Sequence, residues 1–293
     1  MILANNAAVG VYDTGLGGLT AVRGIVKILP NEDIIYFGDT GRVPYGNRSY
    51  ETIKKYSRQA IRFLRTHNVK IILVACGTVS SVAIEDLRTA FPDIPIIGVV
   101  EASCKKAIEI ADNTGNKKIG VIATAATVSR GAYPKYIAEY KNNKDNKSYE
   151  VISKACPLFV PLVENGYVAR DNKIIRLVAE EYLAELKKEN LSSLIMGCTH
   201  YPMIAEVIDD IINEEKDNNI TGSVKTVLID SGYESAHELK NKIQSRDIAN
   251  DKKRKGSLEV YVSDETVNFA KMASDFLGFD INKNITKIDI DKY

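Results

Sequence analysis

Two short stretches carry the residues best suited to chemistry. Leu73-Val74-Ala75-Cys76-Gly77-Thr78 and Leu194-Ile195-Met196-Gly197-Cys198-Thr199-His200 each run an apolar segment into a cysteine, with hydroxyl residues close behind. A helical pattern follows each, Val82 to Ala90 after the first and Tyr201 to Ile212 after the second. Ligands of open α/β sheets bind at the carboxyl ends of parallel strands. A thiol there lies near a helix start, where the dipole and unpaired N–H groups favour the thiolate. One such corner in each half of the chain suits proton transfer at a carbon centre. One thiolate removes a proton from one face, the other thiol delivers a proton to the opposite face, and the configuration inverts. A single cysteine at a strand end reads rather as a small apolar packing residue; the pairing of two corners carries the chemical reading. Cys104, within the helical pattern 101–111, and Cys156, ahead of Pro157, are read as packing residues.

Other polar groups cluster at strand ends. Asp13-Thr14-Gly15-Leu16-Gly17-Gly18 closes the first strand, and its glycines allow close backbone approach to a small carboxylate. The spacing does not fit the dinucleotide fingerprint. The loop from Phe37 to Gly46, containing Asp39, Arg42, Tyr45 and Gly46, lies where substrate contacts are expected. Arg42 either meets a substrate carboxylate or pairs with Asp39. Glu164 is a lone acid after a nearly all-apolar run, placed to assist a thiol or simply to face water. His200 stands two residues from Cys198, able to orient it or balance its charge.

These groups need a scaffold. Short β-branched runs at 7–13, 33–38, 70–75, 94–100, 117–123, 149–155, 192–197, 224–230 and 258–262 read as strands, several continuously apolar, as parallel strands covered on both faces are. Amphipathic stretches lie between them. In 50–66, Ile53, Tyr56, Ala60, Phe63 and Leu64 share one face; in 172–188, Ile175, Val178, Ala179, Tyr182 and Leu186 do so, with Asp171 placed as a cap. The fold class is α/β, with mainly parallel sheets flanked by helices. Lys141 to Ser148 and Ser245 to Lys255 read as polar loops.

The chain of 293 residues is long enough for two α/β domains. A net charge of +1 argues against nucleic acid as the main partner. The basic run Lys252 to Lys255 reads as a solvated loop. The first residues lack a signal-peptide pattern, and no apolar run is long enough to cross a bilayer. The expectation is a cytoplasmic protein with reduced thiols and no membrane partner. No metal is expected: Cys-x-x-Cys is absent, and Cys198-Thr199-His200 offers too few ligands for zinc. No pyridoxal lysine motif is evident, so no cofactor is expected.

The segments 11–22, 36–49, 73–81, 120–128, 154–166, 194–202 and 228–232 together resemble the glutamate racemase family of the aspartate/glutamate racemase superfamily. The combination ACPLFVPLVE with GCTHYP is highly specific. The resemblance implies cofactor-independent racemisation of L- and D-glutamate, supplying D-glutamate for peptidoglycan. It makes Cys76 and Cys198 the acid/base thiols, the first deprotonating D-glutamate and the second L-glutamate. Asp13 would assist near Cys76, and Glu164 and His200 near Cys198. Asp13, Thr14, Tyr45, Gly46, Gly77, Thr78, Thr199 and His200 would form the substrate shell. It further implies two pseudo-symmetric domains, 1–100 with 222–293 and 101–221, with the active site in the cleft between them, and a homodimer. Thr14 stands where the family usually has serine, which keeps the hydroxyl. Gly77 stands where it usually has asparagine, which removes an amide. A racemase for aspartate or another amino acid on the same scaffold is the alternative that Gly77 keeps open.

Overall fold

A computed structural model describes residues 6–142, 148–214, 225–251, 253–265, 269–281 and 285–293. The elements run β1 (Ala8–Asp13), α1 (Leu19–Ile28), β2 (Ile34–Gly38), α2 (Tyr50–Arg65), β3 (Val69–Val74), α3 (Gly77–Val82), α4 (Ile84–Ala90), β4 (Ile96–Gly98) and α5 (Val99–Thr114). They continue with β5 (Lys118–Ala123), α6 (Ala125–Arg130), α7 (Ala132–Asn142), β6 (Glu150–Ala155), α8 (Phe159–Glu164), α9 (Lys173–Lys188), β7 (Ser193–Met196), α10 (Ala205–Asn213) and β8 (Val227–Asp230). The last are α11 (Ser231–Ser245), β9 (Leu258–Val262), α12 (Phe269–Leu277) and β10 (Ile285–Lys287).

The chain forms two compact units, Met1–Val99 with Gly232–Tyr293, and Val100–Ser231. The sheet of the first has the order β10-β9-β2-β1-β3-β4, and that of the second β6-β5-β7-β8. All pairings among the described residues are parallel. The continuously apolar strands therefore lie in parallel sheets, as their sequence predicts. The return to the first domain expected at residue 222 falls on a residue outside the described ones. The sequence grouped β8 with the first domain. It pairs with β7 instead, and the first unit resumes at Gly232.

The two units share a winding pattern. In each, the chain passes from a central strand to a neighbour on one side, then returns to the other side. These steps are β1 to β2 to β3, and β5 to β6 to β7. The switch points lie between β1 and β3 and between β5 and β7, and ligands of open α/β sheets bind at the carboxyl ends of strands at such points. Cys76 follows β3 and Cys198 follows β7. Strands β9 and β10 extend only the first sheet. The sequence missed β10, a strand of three residues with partly exposed positions.

Helix α2 packs where its spacing predicts, burying Ile53, Ala60, Phe63 and Leu64, with Ser49 Oγ accepting from Thr52 N–H as its cap. Helix α9 buries Ile175, Ala179, Leu183 and Leu186. Its cap is Asn172, whose Oδ1 accepts from Ile174 and Ile175, and not Asp171. Residues 143–147 of the polar loop Lys141 to Ser148, and Lys252 of the basic run, lie outside the described residues. Arg254 pairs with Asp33 at 3.1 Å. The same loop wraps a buried ion pair: Lys70 Nζ sits 2.6 Å from Glu32 Oε2, with the two side chains 0% and 4% exposed. Glu32 Oε1 also accepts from Asn250 N–H at 2.8 Å. Among the described residues, no helix is long and apolar enough to cross a membrane.

Candidate active site

Cys76 occupies the N-cap position of α3, in extended backbone, and is buried. The first turn therefore starts at Gly77, earlier than the Val82 read from the sequence, and places Gly77 and Thr78 directly after the thiol. The opening N–H groups of such a turn have no acceptor inside the helix. Thr14 Oγ1 stands 3.5 Å from Cys76 Sγ. Asp13 is buried at the end of β1, and its Oδ2 accepts from the N–H groups of Gly15 at 3.1 Å and Gly18 at 2.9 Å. Those bonds favour the carboxylate form. Gly18 has to be glycine, because a Cβ there would lie 2.6 Å from the Cβ of Asp13 and 3.1 Å from that of Ala75. Asp13, Thr14, Cys76, Gly77 and Thr78 thus gather at the carboxyl ends of β1 and β3.

The loop after β2 is braced differently from the expectation. Arg42 pairs with Asp39, Nε to Oδ2 at 2.8 Å, donates to Gln59 Oε1 at 2.7 Å, and stacks 4.0 Å from the Tyr56 ring centroid. Of its two sequence readings, the pair with Asp39 is the one present. The Tyr45 hydroxyl donates to Asp39 Oδ2 and accepts from Tyr12 at 3.3 Å. Tyr45 is only 2% exposed, so its phenol braces the loop; Gly46 beside it is exposed. Burial, then the Asp39 charge, hold the Tyr12 phenol well above its usual pKa. Sequence reasoning missed this network. Its one local signal is the spacing of Asp39 and Arg42 on one turn.

The second corner differs in kind. Gly197 follows β7, and a Cβ there would meet the Tyr133 hydroxyl at 2.9 Å and Ile122 O at 3.0 Å. Cys198 is buried, and a 3-10 turn (Tyr201–Ile204) follows before α10 begins at Ala205. The expectation of an α-helix start close behind both thiols therefore holds for Cys76 only. At Cys198 a charged ring takes that place. Cys198 Sγ lies 3.8 Å from His200 Nδ1, and His200 Nε2 lies 2.9 Å from Glu164 Oε1 at the end of α8. Burial opposes charge on this ring. The hydrogen bonds to Cys198 and then Glu164 outweigh it and push the His200 pKa up to about 10. The result is a hydrogen-bonded chain from Cys198 through the His200 ring to Glu164. Thr199 is buried between Cys198 and His200. Tyr201 donates to Cys156 O at 2.9 Å, tying this turn to the end of β6.

Cys104 and Cys156 are buried, and Cys104 belongs to a hydrophobic cluster with Val121, Tyr133 and Ile195. Burial pushes the Cys156 thiol up to about 12 and holds Cys104 well above its ordinary value. Both therefore stay protonated near neutral pH.

Each of the two switch points ends in a buried thiol beside polar groups, Thr14 at Cys76 and His200 at Cys198, and the matching relatives are racemases. The chain belongs to the Asp/Glu/Hydantoin racemase family, whose profile matches residues 16–231. Within that family the similarity runs to glutamate racemases. The glutamate racemase of Thermoanaerobacter pseudethanolicus is 40% identical over 285 residues, covering 97% of this chain and 98% of that one. The crystal structure of glutamate racemase from Francisella tularensis, in complex with D-glutamate, has a TM-score of 0.84 at 36% identity and covers 99% of this chain and 100% of that one. Glutamate racemase from Thermus thermophilus, in complex with β-chloro-D-alanine, has a TM-score of 0.81 at 33% identity, covering 99% and 100%.

Proposed function

We propose that this protein interconverts L- and D-glutamate by two-base proton transfer, with Cys76 and Cys198 as the acid/base groups and no cofactor. The carrying observation is the Cys198–His200–Glu164 chain, which equips a buried thiol to hold or give up a proton. The α-proton of an amino acid is a very weak acid, so charge developing on the α-carboxylate must be stabilised. Opening N–H groups of α3 and the hydroxyls of Thr78 and Thr199 are the donors for this role. Cys76 takes the proton from D-glutamate while Cys198 donates, and the roles reverse for L-glutamate. Asp13 assists at Cys76; His200 and Glu164 assist at Cys198. Thr14, Tyr45, Gly46 and Gly77 complete the substrate shell. The product D-glutamate serves peptidoglycan, and the protein works in the cytoplasm as a homodimer.

The test is α-hydrogen exchange in deuterated water with each enantiomer of glutamate, followed by NMR and chiral analysis. Glutamate should exchange and invert, and Cys76→Ser and Cys198→Ser should each lose roughly 10²–10⁴-fold in racemisation. Exchange of aspartate but not glutamate would overturn the substrate assignment. A serine variant of either thiol working at the parental rate would overturn the mechanism.

A further inference from the structure

We propose that Tyr36 is a positioning residue for Cys76: its hydroxyl fixes the turn from Asp13 to Gly18 and so holds the Thr14 hydroxyl against the thiol. The inference rests on the proposed role of Cys76 in proton transfer. Tyr36 lies on β2 paired with Val11 of β1, two positions before the pair Asp13 and Gly38. Residues two apart on a strand share a face, so Tyr36 and Asp13 stand on the same side of the sheet. The Tyr36 hydroxyl donates to Gly15 O at 2.8 Å and lies 3.5 Å from Asp13 Oδ2.

The surroundings are shaped around this contact. A Cβ at Gly38 would sit 2.4 Å from Gly15 O and 3.2 Å from the Tyr36 ring, so glycine lets that carbonyl approach. Tyr36 is fully buried. Burial, followed by the Asp13 and Cys76 charges, holds the phenol protonated far above its ordinary range, so it stays a donor. Thr14 sits between Asp13 and Gly15, and the Tyr36 hydroxyl holds the Gly15 carbonyl. Its aim at Cys76 Sγ, 3.5 Å away, depends on the two residues beside it. A tyrosine that merely filled the core would affect stability and leave the thiol alone.

The test compares Tyr36→Phe with the parent as full chains. Cys76 and Cys198 are alkylated with iodoacetamide at fixed pH and followed separately by peptide mass spectrometry. Isotope effects on racemisation are measured with α-deuterated D- and L-glutamate. The enantiomers have equal free energies, so kcat/KM must be the same in both directions; the isotope effects carry the direction. Tyr36→Phe should slow Cys76 alkylation roughly threefold to tenfold, the worth of one hydrogen bond, with Cys198 at the parental rate. The isotope effect should rise for D-glutamate more than for L-glutamate. Thr14→Val, which cuts only the last link, should slow Cys76 in the same way, and Thr14→Ser should restore it. Parental alkylation of Cys76 in both Tyr36→Phe and Thr14→Val, with unaltered isotope effects, would overturn the proposal. A parent that alkylates as described but exchanges no glutamate α-hydrogen would overturn the racemase reading, while the alkylation comparison still decides the role of Tyr36.

Discussion

Replacing Glu164 by glutamine keeps an acceptor oxygen near His200 Nε2, 2.9 Å away in the parent, and removes one negative charge. A hydrogen bond to a charged partner is worth about 1.5–3 kcal/mol, and a neutral one about half as much. The Glu164 side chain is 42% exposed and that of His200 10%, so water screens part of the difference. About 1 kcal/mol remains as the stabilisation lost by the imidazolium, somewhat under one pH unit. The sign follows from linkage. The His200 pKa is raised from 6.5 to about 10, against burial, by the Cys198 and Glu164 contacts. Its contribution to stability is fully present below the ordinary histidine value and is lost as pH rises through about 10. In Glu164→Gln the upper edge of that window moves down. Titration of ¹⁵N-histidine-labelled protein by NMR should show this, with His67 and His237 as internal references. Cys198→Ser should lower the His200 titration further, since the contact with Cys198 is the larger raising contribution. Racemisation by Glu164→Gln at pH 8 should fall roughly fivefold, the rate equivalent of 1 kcal/mol. A His200 that titrates near 6.5 in the parent, or identically in parent and variant, would refute the reasoning.

Three further outcomes follow from the packing. Gly18→Ala forces a Cβ to within 2.6 Å of Asp13 Cβ; overpacking of this kind costs about 1–3 kcal/mol, read by urea denaturation, and racemisation should fall with it because the Asp13 turn is displaced. Lys70→Met leaves the Glu32 carboxylate buried without its cation and should cost about 3–5 kcal/mol, much of it recovered when Glu32→Leu is added. Cys104→Ala removes a thiol from a hydrophobic cluster and should cost about 1 kcal/mol in stability while kcat stays at the parental value; a large loss of kcat would mean that Cys104 takes part in the chemistry.

The parallel sheets were legible because several of their strands are short, continuously apolar, rich in β-branched residues and separated by helical patterns. Runs such as Ile71 to Val74 and Leu194 to Met196 left little choice. The helix faces of α2 and α9 were legible from their apolar spacing. What escaped was set by contacts between distant residues. The three residues of β10 carry no pattern, and their strand exists because Ile285 to Lys287 pair with β9. The cap of α9 went to Asn172 because side-chain geometry decides between adjacent polar residues. At the site, the thiols, Glu164 and His200 could be named from local motifs. The hydroxyl of Tyr36 could not, because its bond to Gly15 spans 21 residues. The difference between the corners was hidden as well. Cys-Gly-Thr and Cys-Thr-His read alike, yet one begins an α-helix at once and the other a 3-10 turn.

The insertion of one unit into the other has a consequence for the order in which the protein is made. Residues Val100–Ser231 form a contiguous unit, complete before the final segment leaves the ribosome. The first sheet must wait, because β2 needs β9 at its flank, from Ile34↔Leu258 to Gly38↔Val262. The loop after β2 waits too, since Gly41 N–H donates to Ser263 Oγ at 2.8 Å and Arg42 reaches Asp291 at 3.5 Å. Domains fold as units during synthesis, so the Cys198 corner should form while the Cys76 side still lacks its outer strands. Limited proteolysis of a chain ending at residue 257 should find β5 to β8 protected and the segment from β1 to β3 open to cleavage. Translation itself would then separate in time the folding of the two corners that carry the proposed acid/base thiols.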